Sequence, residues 1–164
     1  MHKLYFLLLN LYIMENTLNQ LDLMIISLKK TNDLIFESVD DNEIKKLEED
    51  RNDIISIINE ECKNIKSKLP EKYYQMFNYF IKKYLSIQKD YYDRQKNMFI
   101  MELMIKNSNI TNEMANDIVI NGCRTKNVSC LVSENEIYNY VKHQHKNIIQ
   151  LEKCLHGMNQ FMHM

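Results

Sequence analysis

The chain has 164 residues, 45% apolar and 26% charged, enough to bury one core with or without a tail. Two Gly and one Pro exclude a sandwich or barrel built on tight turns, and exclude a Gly-rich phosphate loop. Lys and Arg total 21 against 22 Asp and Glu, so no basic excess exists to neutralise phosphates and nucleic acid is not expected as a partner.

The N-terminal residues Leu4 to Ile13 are apolar except for Asn10. Ten residues are too few to span a bilayer, which takes about 20. His2 and Lys3 precede the run as in a signal peptide, but no small-x-small cleavage site follows. Residues 1–13 therefore read as an apolar tail or an extension of the first helix. Met14 would equally serve as a start.

From Leu18 the apolar steps are Leu18, Leu21, Ile25 and Leu28, then Asn32 and Ile35. Steps alternating between three and four make the seam of a bundled helix. Asn16 or Thr17 is suited to cap its start. The Asp-rich stretch Ser38 to Asn42 is a break. A second helix carries Ile44, Leu47, Ile54, Ile58 and Ile65, with Arg51 and Glu61 interrupting the seam, so its packing is expected to be imperfect. Pro70 removes a donor and restricts the residue before it, which ends this helix near Leu69.

The third helix keeps the alternation longest. Phe77, Phe80, Tyr84, Ile87, Tyr91, Met98 and Met101 form its expected bundle core, with Arg94 and Ile105 on the same line. From Glu71 to Lys106 it would measure roughly 54 Å at 1.5 Å per residue. Asp90 and Arg94 are four apart with the acid first, the favourable order for a surface pair.

Beyond Lys106 the period is lost among Asn residues. A short helix fits between Asn112 and Asn121, capped by Thr111 and stopped by Gly122. A fourth long helix starts at the capping box Ser133-Glu134-Asn135-Glu136. Its seam is Ile148, Leu151, Leu155, Met158 and Met162, and Met164 falls inside the pattern, as in a truncated chain. The expected fold is all-α. An antiparallel up-down three-helix bundle over 14–107 is followed by a linker over 108–133 and a truncated coiled-coil helix over 134–164.

Several segments resemble one family in one order. His145-Lys146-Asn147-Ile148-Ile149-Gln150-Leu151-Glu152 resembles the start of the SNARE motif of syntaxins. The run from Tyr84 to Arg94, with Gln88, Asp90 and Tyr91, resembles their third-helix signature. The stretch from Ile105 through Thr111-Asn112-Glu113 to Gly122 resembles the linker that follows, and Leu47-Glu48-Glu49 with Asp53-Ile54 the second helix.

The resemblance implies a regulatory three-helix bundle, a linker, and a SNARE helix that zippers with other SNARE proteins to join two membranes. Ile148, Leu151, Leu155, Met158 and Met162 would be its first partner-binding layers. It also implies a closed form, in which the bundle holds the chain's own SNARE helix, and a Sec1-type regulatory protein as a partner. The family works on the cytoplasmic side of intracellular membranes. The central polar layer, the rest of the zipper and the membrane anchor would fall beyond Met164, so this chain is expected to be soluble or peripheral. The alternative is a soluble helical adaptor unrelated to fusion.

No enzymatic chemistry is expected. His143 and His145 are two apart and face away from each other on a helix, so the C-terminal His and Cys residues lack zinc-ligand spacing. Cys154 has no activating helix N-terminus. The four cysteines form no C-x-x-C pair and read as free thiols. No catalytic residue, cofactor, metal or small-molecule substrate is assigned.

Overall fold

The structure is a computed structural model that describes residues 2–121. Among these residues it is all-α: α1 (His2–Glu37), α2 (Asp41–Lys66), α3 (Tyr74–Lys106) and α4 (Asn112–Asn121). The expected seam of the fourth long helix, Ile148, Leu151, Leu155, Met158 and Met162, lies outside the described residues. So does the stop at Gly122. The chain divides into two compact units with the boundary between Tyr84 and Leu85, inside α3.

In the first unit α1 is continuous from His2, because residues 2–37 contain neither Gly nor Pro and the Leu-rich start favours helix. Thr17 therefore caps nothing. Its hydroxyl donates back to the Ile13 carbonyl at 2.8 Å, the bond of a helix interior. Leu18, Leu21, Ile25, Leu28 and Ile35 are buried along one face, at the expected three-four spacing. Each such side chain contributes about 1.5–3 kcal/mol when fully covered.

Ser38 to Asp40 turn the chain, and α2 packs along α1. Asp40 is the cap: its carboxylate accepts from the backbone N–H of Asn42 at 2.8 Å and of Glu43 at 3.4 Å. Such a cap is typically worth about 1 kcal/mol. The far end of α2 closes at Lys66, three residues before the expected stop near Leu69. Pro70 then leads a single 3₁₀ turn, Glu71–Tyr73, instead of entering α3 directly. Phe77, Phe80, Ile81 and Tyr84 of α3 are buried in this unit, with the Phe77 and Phe80 rings stacked at 6.3 Å between centroids.

The second unit has its own core. Phe99, Ile100 and Leu103 of α3 pack with Ile110 and with Ala115, Ile118 and Val119 of α4, and Tyr92 and Met114 border them. α4 begins where the Asn pattern placed it. The Met114 N–H donates to the Thr111 hydroxyl at 3.2 Å, and the Ala115 N–H to the Thr111 carbonyl at 2.9 Å. The turn before it is held by Asn107, whose side chain accepts from the Asn109 N–H at 3.0 Å. Ala115, the chain's sole alanine, is fully buried, which suits close approach of α4 to its neighbours.

Candidate functional site

The expected seam of α3 divides into a covered part and a bare part. Phe77, Phe80, Tyr84 and Tyr91 are buried and Ile87 is half-buried. Met98 and Met101, expected in the bundle core, are 44% and 61% exposed, and Ile105 is 79% exposed. The buried residues at this level are Phe99, Ile100 and Leu103. A strict heptad drifts about 20° per repeat on a straight 3.6-residue helix, hence roughly 60° over the three repeats from Phe77 to Met98. That drift is part of the shift; the rest is set by α4, whose residues cover the face carrying Phe99, Ile100 and Leu103.

At about 100° per residue, Met98, Met101 and Ile105 lie on the side of α3 opposite Phe99, Ile100 and Leu103. The last turns of α3 are thus apolar on two faces. One is covered within the second unit; the other is bare and methionine-rich. Unbranched, polarisable methionines suit a surface that must accept another helix. Arg94, on the same line, reaches Asp90 at 3.7 Å, as the sequence order favours.

Polar groups on the first-unit seams are matched to each other. Arg51 and Asn32 are both buried, and the Arg51 Nε donates to the Asn32 Oδ1 at 2.9 Å. The expected flaw in the second helix is thus answered by the polar step of the first. Tyr84, fully buried, donates from its hydroxyl to the Asn59 Oδ1 at 3.4 Å. In the second unit Gln88 is buried too, although it lies off the heptad line. The periodicity gave no signal for it, because a polar residue one step from a seam reads as surface.

Among the described residues no group of three or more His, Cys, Asp or Glu is placed to hold a metal ion. His143, His145 and Cys154 lie outside them. Cys62 is buried and its thiol is pushed up to about 12, first by desolvation and second by the negative charge of Glu61. A thiol held protonated is a poor nucleophile. No helix among the described residues is long and apolar enough to cross a membrane. No family model matches the chain, and no curated protein matches it.

Proposed function

We propose that the chain is a syntaxin-like SNARE protein of vesicle-mediated transport and membrane fusion, which works by helix–helix binding. The observation that carries this reading is the bare stripe Met98, Met101 and Ile105 on α3. It continues a heptad line at the same three-four spacing as Ile148, Leu151, Leu155, Met158 and Met162. Two apolar seams of one period in one chain are surfaces that burial against another helix would satisfy.

In this reading residues 14–107 form the antiparallel up-down bundle. Three bonds support that arrangement. The Tyr73 hydroxyl donates to the Leu11 carbonyl at 3.3 Å and Lys83 pairs with Asp22 at 2.8 Å, so α3 ascends as α1 ascends. Asn32 meets Arg51 across the short turn, so α2 descends. The C-terminal seam has two competing burials, on the bundle in a closed form or on other SNARE proteins. Two burials of one surface make a switch whose balance a Sec1-type regulatory protein would shift. The work is done on the cytoplasmic side of an intracellular membrane, with no reaction at any side chain.

The test is capture of partner SNARE helices by the full chain, wild type and Leu151→Asp. A carboxylate in a buried layer is costly, so capture is expected to fall at least about tenfold. Met98→Asp with Met101→Asp is expected to increase capture instead, by removing the closed alternative. Unchanged capture with Leu151→Asp overturns the reading and leaves a helical adaptor unrelated to fusion.

A further inference from the structure

The start of α1 stands outside the first unit's core. Every described side chain from Leu4 to Asn10 is exposed, Leu4 and Phe6 at 65% each, whereas the first buried residue of the helix is Leu18. Among the described residues, the hydrogen bond nearest this end that ties it to the rest of the unit runs from the Tyr73 hydroxyl to the Leu11 carbonyl. Before it comes an arm of bare helix in which Asn10 is the sole polar residue after Lys3.

The distribution of the apolar residues decides what can cover them. At about 100° per residue, Leu4, Phe6, Leu7, Leu8 and Leu9 fall on every side of the helix. A helix bound in a protein groove, or paired with a second copy, needs one apolar stripe and keeps a polar back. Its polar line is one residue wide, Lys3 and Asn10 falling about 20° apart between Phe6 and Leu7, so either occupant would leave much of the apolar arc wet. A helix sunk into one leaflet is covered over a wider arc, with only such a narrow polar line left at the surface. The charge agrees: residues 1–14 hold Lys3 and His2 and no acid, whereas the whole chain carries −1. That basic end complements an anionic leaflet.

We propose that residues 2–13 are a membrane-surface arm that sinks into the interface of a bilayer containing acidic phospholipid. Leu4 to Ile13 is about 15 Å of helix, too short to cross the hydrocarbon but suited to lying in one leaflet. A helix lying in that plane is buried about 5–10 Å deep, which covers most of its width and leaves Lys3 among the headgroups. Tyr12, 70% exposed near the base of the arm, sits where an amphipathic ring favours the interface. The inference does not rest on the C-terminal heptads or on any SNARE partner.

The experiment is co-sedimentation of the full chain with vesicles of phosphatidylcholine, with and without phosphatidylserine, alongside Leu7→Asp with Leu8→Asp and, separately, Lys3→Glu. Because Leu7 and Leu8 are exposed, the helical circular-dichroism signal is expected to be unchanged. Wild type is expected to sediment with the mixed vesicles, and the double variant to bind at least about tenfold less. Lys3→Glu should weaken binding at low salt alone. Failure of wild type to sediment, or sedimentation unaffected by the double substitution, overturns the proposal. So does lipid-free self-association in the ultracentrifuge that the double variant abolishes, since the arm's occupant would then be a second copy.

Discussion

On α3 the heptad line is buried at Phe77, Phe80, Tyr84 and Tyr91, with Ile81 covered beside it, and the polar steps on the α1 and α2 seams meet each other. From Phe99 onward the buried residues leave that line and gather instead under α4. The same spacing thus serves as a core in one region and as a bare surface in the other. Periodicity says that a stripe wants burial; it does not say which neighbour supplies it. A short helix such as α4, arriving from an Asn-rich turn, can claim a different face of a long one.

The largest expected effects break this contrast directly. Phe99→Ala should cost about 3–5 kcal/mol and Leu103→Ala about 2–5 kcal/mol in urea unfolding, through lost burial and the cavities left behind. Met98→Ala and Met101→Ala, one or two positions away, should stay within about 0.5 kcal/mol, as exposed substitutions do. If the methionine variants are the destabilised ones, the heptad line and not α4 marks the core of the second region.

Cys62 sharpens the picture of the first region alone. Burial holds its thiol protonated up to about 12, against an ordinary value of 9.0. The native pKa is raised, so the stabilising contribution is complete below pH 9 and is lost as pH climbs from there through about 12. The advantage of wild type over Cys62→Val, followed by thermal unfolding against pH, should be flat to pH 9 and then narrow. Alkylation of Cys62 at neutral pH should be slow in native protein and fast in urea.

Much of this was legible in the residues, and the exceptions have physical reasons. The α1 seam, the Thr111 cap and the Asp90–Arg94 pair follow from side-chain spacing and hydrogen-bonding capacity, which are local. Three features depend on neighbours and could not be read locally. Thr17 looks like a cap until the residues before it are known to be helical. Met98 and Met101 look like core until Phe99 and Leu103 find α4. Arg51 looks like a defect until Asn32 stands opposite. For the candidate site, the bare stripe was visible as a period and invisible as a surface, because exposure belongs to the assembled helices.

The Asn32–Arg51 bond is the next test in size. Asn32→Leu leaves a buried donor of Arg51 without its 2.9 Å partner and should cost about 1–3 kcal/mol. Changing both to Leu should cost less than the two single changes added together. A double-mutant cycle on thermal unfolding reads the difference. A sum that is simply additive would mean that the two seam polar groups are solvated separately, and that the match between α1 and α2 is not made there.

The smallest effects compare one ion pair from each region. Lys83 and Asp22 join α3 to α1 at 2.8 Å with both side chains partly covered, whereas Arg94 and Asp90 lie four apart on α3 itself at 3.7 Å, the aspartate largely exposed. Exposed pairs are worth about 0.2–1 kcal/mol, and pairs along one helix about 0.3–0.5 kcal/mol. Lys83→Met should therefore destabilise more than Arg94→Met. Both effects should fall as salt is raised, the Arg94 effect first, because the Debye length falls from about 10 Å at 0.1 M to about 3 Å at 1 M and screens the more exposed pair first. Raising salt should nearly abolish the Arg94 effect while part of the Lys83 effect survives, since the Lys83–Asp22 pair is shorter and its aspartate better covered. If both effects vanish together, the pair joining α3 to α1 is screened like the surface pair, and the first region is held in register by its buried seams.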